Sequence, residues 1–241
     1  MGAHKEKDNG GVVVVTGASR GVGRETVIAL VGMGRSVVAV ARNEDALNAL
    51  VAACSNGPGT LRTLVVDLED EAAGVSIKDA LVGKRVIALV HNAGLLNSTS
   101  MGLHSRKDLE QLYRVNVFAP LELSQALAEE LSGDPPGHIV HIGSMGGFQD
   151  SSKFPGLVAY SASKAALACI AQCLAEEFKD KGIRSNCLAL GSVDTAMLRA
   201  AFPGVKSTTT AEQMGRYVAE FSLHGHKLFN GKVLPVAVTT P

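Results

Sequence analysis

Tryptophan is absent from the 241 residues, and aromatic side chains make up only 4% of them although hydrophobic residues reach 46%. A core of this composition has to be assembled from Val, Leu, Ile and Ala, which suits a domain of alternating helices and strands. Neither sign of charge is in excess: 23 Lys and Arg cancel 23 Asp and Glu. Nothing in that balance favours DNA, RNA or an anionic membrane as the main partner, and a small molecule is expected instead. The four cysteines, Cys54, Cys169, Cys173 and Cys187, lack the paired CxxC spacing of a zinc site. The opening MGAHKEKDNGG is polar, without the apolar stretch of a secretory leader; a reducing cytoplasm is the expected compartment, and 1–10 the expected loose tail. Its Met-Gly start does not extend to a myristoylation signal, because Glu6 stands where Ser or Thr is needed. Strongly apolar runs reach strand length, short of the ~20 residues that cross a bilayer. A chain of this length buries a sizeable core without disulfides.

The 26 glycines exceed the average share of roughly 7% and gather at turns. Residues 12–15 are a continuous β-branched run, as expected of a strand buried on both faces, leading straight into Thr16-Gly17-Ala18-Ser19-Arg20-Gly21-Val22-Gly23. The pattern then predicts helix over 24–31, strand over 36–41, helix over 44–53, strand over 61–66, helix over 71–82 and strand over 85–90. Two helical stretches, 107–114 and 115–131, are expected with a bend between them, stopped by Asp134-Pro135-Pro136-Gly137. Strands over 138–142, 184–190 and 232–238 and helices over 158–179 and 211–223 complete the series. Strands separated by helices pair in parallel through right-handed crossovers. The fold class is therefore α/β: one doubly wound domain over 11–241, about seven parallel strands flanked by helices. The longest irregular stretch, 195–210, reads as a mobile flap.

Ligands of such sheets bind beyond the carboxyl ends of the strands. There, Gly17, Gly21 and Gly23 let the chain turn tightly and approach a pyrophosphate, whose charge the amides of the next helix start stabilise. The spacing is GxxxGxG, not the commoner GxGxxG, and glycines in a strand-to-helix turn also serve geometry alone. Further along stand Asn92-Ala93-Gly94, Asn116, Ser144 and Tyr160-Ser161-Ala162-Ser163-Lys164. In this order the set resembles the short-chain dehydrogenase/reductase family, strongly over 11–195 and weakly beyond.

That resemblance implies a single Rossmann-type domain and NAD(P)-dependent interconversion of an alcohol and a carbonyl. It makes Asn116, Ser144, Tyr160 and Lys164 the catalytic set. Tyr160 is the acid/base; Ser144 holds the substrate oxygen; Lys164 also bonds the nicotinamide ribose; Asn116 bends its helix and anchors a water beside Lys164. A phenol with an ordinary pKa of about 10 needs help to ionise near neutrality, and Lys164, one helical turn from Tyr160, brings a positive charge close. Cofactor contacts are expected from Gly17, Ser19, Arg20, Gly21, Val22 and Gly23, from Asp67 and Leu68 near the adenine, and from Asn92, Ala93 and Gly94. Leu190-Gly191-Ser192-Val193-Asp194-Thr195 is similar to the family's Pro-Gly-x-Val-x-Thr, with Leu190 in place of the proline; Gly191, Val193 and Thr195 are thereby assigned to the nicotinamide carboxamide. Asp67 reads equally well as a helix N-cap.

The second strand ends Val40-Ala41-Arg42 with no acid at its tip, and Arg20 lies in the glycine turn. Two cations suit a 2′-phosphate, so NADP (NADPH) is expected over NAD, although Glu44 or Asp45 could turn toward the ribose and both arginines could be surface charges. The expected partner is a small carbonyl or alcohol substrate, bound among candidates Leu95, Leu96, Met145, Phe148, Phe154, Met197, Leu198 and Phe202, with Lys153 and Arg199 leaving room for an anion. Cys169 and Cys173, His138 and His141, and His224 and His226 do not assemble a metal site, and none is expected. Helix 158–179 is apolar on more than one face, implying a homodimer or homotetramer. An NAD-dependent alcohol or sugar dehydrogenase and a catalytically inactive NADP-responsive binding protein are the alternatives.

Overall fold

The computed structural model describes residues 10–238; apart from Gly10, the expected tail lies outside them. Seven strands, β1 (Val12–Thr16), β2 (Ser36–Ala41), β3 (Thr60–Val65), β4 (Val86–His91), β5 (Gly137–Ser144), β6 (Ile183–Leu190) and β7 (Val233–Val236), form one sheet in the order β3-β2-β1-β4-β5-β6-β7. Every neighbouring pair is parallel. The helices are α1 (Gly21–Gly32), α2 (Glu44–Cys54), α3 (Ala73–Asp79), α4 (Arg106–Tyr113), α5 (Ala119–Ala126), α6 (Ala128–Leu131), α7 (Val158–Glu177), α8 (Ala196–Ala201) and α9 (Ala211–His224). Chain direction across the sheet reverses between β1 and β4, so their crossovers part there and leave a crevice at the carboxyl ends.

Alternation within each buried strand builds two cores. Val13, Val15, Val37, Ala39 and Val140 pack with Val27 and Leu30 of α1 and Val218 of α9. On the other face, Val12, Val14, Val38, Leu89 and Ile139 pack with Ile77 of α3 and Leu123 of α5. Strands covered on both sides need no polar alternation, which is why β1 is an unbroken valine run.

The structure departs from the sequence reading in instructive places. The bend between α4 and α5 is a π-helical turn, Arg114–Phe118, with Asn116 buried inside it. The segment read as irregular contains α8, started by Thr195, whose Oγ1 accepts the Leu198 N–H at 3.2 Å. Helix α3 begins later than residue 71, because Asp67 and Asp70 accept the N–H groups of Glu69 and Ala72 and hold the chain in turns. Glu44 and Asp45 occupy the first turn of α2 behind the Asn43 cap and so complement the helix dipole. Helix α7 is long and apolar enough to cross a bilayer by length and composition, contrary to the expectation of strand-length apolar runs. Tyr160, Lys164, Leu167, Ala171 and Leu174 on one of its faces are nevertheless buried, and the helix packs on β5 and β6.

Candidate active site

A cleft of about 540 Å³ opens at the carboxyl ends of the strands. Gly17, Ser19, Arg20, Gly21 and Val22 line one end, Arg42, Asp67 and Leu68 the flank, and Asn92, Ala93 and Gly94 the floor, with Ser144, Tyr160, Lys164, Gly191, Val193 and Thr195 at the other end. Of the catalytic and cofactor residues named from sequence, Gly23 and Asn116 do not line it. Asn43, Ala46, Ile142, Leu157 and Ala201 do; Asn43 alone left a signal, as a polar residue just past a strand tip.

The glycine turn is shaped by what surrounds it. Gly17 has a φ of +65°, and a Cβ there would lie 2.7 Å from Ala93 Cα. A Cβ on Gly23 would meet Asn92 Nδ2 at 2.2 Å. That amide donates to the carbonyls of Thr16 and Gly17, both at 3.0 Å, while Thr16 Oγ1 accepts the Asn92 and Ala93 N–H groups at 3.2 Å. The tips of β1 and β4 are thereby tied together, and α1 starts from them with neither a side-chain cap nor an acid in its first turn. Amides at this helix start, bordered by Arg20, form a donor set for a pyrophosphate; the residues fit a dinucleotide. Across from them, Thr195 Cγ2 stands 3.6 Å from where a Cβ on Gly21 would be. The Thr195 hydroxyl serves as the cap of α8. Leu190 completes the β6 ladder with Val236, and Gly191 N–H donates to Val236 O at 2.9 Å; a proline at 190 would supply no ladder donor.

At the flank, Arg42 is engaged by acids that strand order did not reveal. Its Nη1 lies 3.1 Å from Glu69 Oε1 and 3.5 Å from Asp67 Oδ2. Asp67 is not a helix cap: its Oδ1 closes the turn at Glu69 instead.

At the opposite end, Tyr160 and Lys164 share the buried face of α7. Burial raises the Tyr160 pKa above its ordinary value, and the neighbouring Ser144 hydroxyl, placed to donate toward the phenol oxygen, pulls the other way. Among the protein's own groups, that opposing pull comes from Ser144 rather than from Lys164. Burial lowers Lys164 to about 8, partly offset by Cys187; its Nζ donates to Ile142 O at 2.8 Å. Ser144 Oγ accepts the Gly146 N–H at 3.1 Å, which leaves the hydroxyl proton available. The Asn116 side chain clamps the loop after β4: Oδ1 accepts Leu95 N–H at 2.8 Å, and Nδ2 donates to Leu95 O at 2.9 Å and to Ser163 Oγ at 3.0 Å. Both of its amide protons are thus committed to protein. Ser163 in turn donates to Tyr160 O at 2.7 Å.

Behind Lys164 lies a buried polar row. His91, His141 and Cys187 are register partners on β4, β5 and β6, and the two imidazoles stack with centroids 5.0 Å apart. Ser124 spends its proton on Pro120 O, so it accepts the proton of His91 Nε2 at 2.8 Å. His138, three residues from His141, points to the opposite face, against Ser222 O and Asn186. Burial holds His91 and His138 down to about 3 and His141 well below the ordinary imidazole value, and it pushes the Cys187 thiol up to about 12.

The cleft beside Tyr160 is walled by Leu95, Met145, Phe154, Met197, Leu198 and Phe202. Phe148, expected there, is not among its walls. The two cations considered for an anionic substrate are occupied elsewhere: Lys153 donates to Phe148 O and Ser151 Oγ, and Arg199 pairs with Asp194.

The chain is 32% identical to a fatty acyl-CoA reductase of Mycobacterium tuberculosis over 209 residues, 83% of this chain and 69% of that protein. Among solved structures, 7α-hydroxysteroid dehydrogenase complexed with NADH and 7-oxo glycochenodeoxycholic acid superposes with a TM-score of 0.86 at 25% identity, covering 95% of this chain and 93% of that one. The RhlG/NADP active-site complex of Pseudomonas aeruginosa gives 0.83 at 25% identity, covering 95% of each chain. Both nicotinamide cofactors therefore occur among its structural neighbours. The family model described as short chain dehydrogenase matches residues 11–206, a span running from β1 to beyond α8, so the chain belongs to the short-chain dehydrogenase/reductase family of oxidoreductases.

Proposed function

We propose that the protein is an NADPH-dependent reductase that converts a ketone or aldehyde to an alcohol, reversibly, with Tyr160 as the proton donor. The observation that carries this reading is the convergence of buried Tyr160, its partner Ser144 and Lys164 at one end of a cleft whose other end is the glycine turn. Bound NADPH supplies the hydride. The chain's residues do the rest. A phenol held protonated by burial is ready to deliver a proton to the oxygen that becomes negative, and Ser144, with its own proton available, donates a second hydrogen bond to that oxygen. Lys164 spends one N–H on Ile142 and keeps two for ribose hydroxyls. Asn116 acts as a positioning residue through Leu95 and Ser163. The direct test is loss of nicotinamide absorbance when the purified protein meets NADPH and a carbonyl panel; no consumption with any carbonyl would remove the proposal.

NADPH is preferred in this reading because two cations, Arg20 and Arg42, line the cleft. The ion pairs of Arg42 with Asp67 and Glu69 are solvent-exposed and hence weak, so a doubly charged 2′-phosphate displaces them. Asp67 supports the NADH reading, since a carboxylate on the cleft wall is a fitting acceptor for free ribose hydroxyls. Arg42→Asp decides between them. A loss of about 10-fold in kcat/KM for NADPH with NADH spared is expected, and an unchanged cofactor ratio would take the role from Arg42.

The outward stripe of α7, Val158, Ala162, Ala165 and Cys169, is exposed. Its small side chains allow a second helix to approach closely, which supports a symmetric homodimer or homotetramer. Light scattering on the eluting protein is expected to give a multiple of 25.0 kDa, and monomers alone would overturn the assembly.

A further inference from the structure

We infer that the carbonyl substrate is uncharged and carries an apolar, ring-sized body packed against the contacting pair Phe154 and Phe202. This rests on the reductase reading above and narrows it. The two rings stand edge to face, centroids 5.5 Å apart. Phe154 comes from the segment leading into α7, and Phe202 from the residue that ends α8. They therefore bridge the two segments flanking the substrate end of the cleft, both half-buried, with Met145 and Leu198 beside them. Because the rings touch, they present one continuous apolar wall, which suits a flat or alicyclic body better than a flexible polar one.

Charge points the same way. Of the charged side chains on the cleft wall, Arg20, Arg42 and Asp67 stand at the cofactor end, and Lys164 is committed to Ile142 O and the reacting end. Lys153 and Arg199 have protein partners and do not line the cleft. A carboxylate placed among Phe154, Phe202 and Leu198 would be desolvated without a partner. The cleft shares Leu95, Leu96, Met197 and Ala201 with a second cavity of about 550 Å³, which gives a larger body room to extend. That cavity's acid, Asp108, repels an anion; Arg20, the cation that also lines it, stands at the start of α1, where a bound pyrophosphate would engage it.

The test compares two carbonyls of similar size that differ in charge, acetophenone and benzoylformate, with NADPH as reductant. Acetophenone is expected to have kcat/KM at least about 100-fold higher. Phe154→Ala and Phe202→Ala are each expected to raise KM for acetophenone about 10-fold and to lower kcat/KM for acetophenone at least about 5-fold more than for propanal, with the NADPH dissociation constant within about 2-fold; the last measurement also reports on folding. Faster reduction of benzoylformate, or equal losses on propanal and acetophenone, would overturn the substrate class while leaving the reductase intact. Absence of turnover with every carbonyl would remove the reductase reading and this inference with it.

Discussion

Acidification from pH 7 to pH 4 is expected to unfold the protein, driven mainly by three histidines. His91, His138 and His141 are almost fully buried, and among the described residues none of them has a carboxylate partner to favour the charged form. In the unfolded chain each takes up a proton near pH 6.5, whereas in the fold His91 and His138 resist until about 3 and His141 is likewise held well down. Between those limits the unfolded state binds more protons. The stability contributed by the neutral rings is therefore complete above pH 6.5 and drains as pH falls toward 3. Three such groups cost ~4 kcal/mol per pH unit well below 6.5, which by pH 4 amounts to ~10 kcal/mol, comparable to a whole domain stability of ~5–15 kcal/mol. Urea unfolding followed by far-UV circular dichroism at stepped pH measures this slope. His91→Asn, which retains a donor for Ser124, is expected to lower it by about one proton; an unchanged slope would show that His91 is not the neutral buried ring described here.

Tyr160→Phe is expected to reduce kcat by ~10³-fold or more, because the proton donor is removed and Ser144 is left to face the developing oxyanion alone. The hydroxyl is not needed to hold the dinucleotide at the glycine turn, so NADPH affinity is expected to stay within about 3-fold. Full activity in this variant would end the assignment of the acid. Lys164→Met separates catalysis from stability. The lysine titrates near 8 in the fold and near 10.4 when unfolded, so the unfolded state binds more protons between these values. Its buried charge withholds stability below pH 8, and this group alone returns ~3 kcal/mol as pH rises to 10.5, while the Cys187 thiol, held protonated in the fold, takes stability away above ~8.5 in wild type and variant alike. Lys164→Met should lose turnover and also lose this recovery. A variant with the same pH dependence as the wild type between pH 8 and 10.5 would mean that Lys164 ionises as freely in the fold as in water.

The sequence carried the strand-helix alternation, the glycine turn and the Tyr160 to Lys164 spacing because each depends on near neighbours along the chain. What depends on register or on packing was not legible. The His91 and His141 stack exists because β4 and β5 pair in one particular register, and no local pattern reports which residues of two strands lie side by side. The Arg42 ion pairs arise because the tips of β2 and β3 come together in space. Helix α8 went unread because six residues are too few to show a period, although Thr195 was there to cap it. Phe148 follows a strand as Met145 does, yet a short helical turn over Met145–Gly147 leaves Phe148 out of the cleft.

The Asn116 clamp ties one side chain to two separate segments, the loop after β4 and helix α7. Through Leu95 it holds a wall shared by both cavities, and through Ser163 it touches the backbone of Tyr160. One amide side chain thereby sets the distance between the loop wall and the helix that carries the phenol, so the width of the substrate end is fixed by a single residue that does not itself line the cleft.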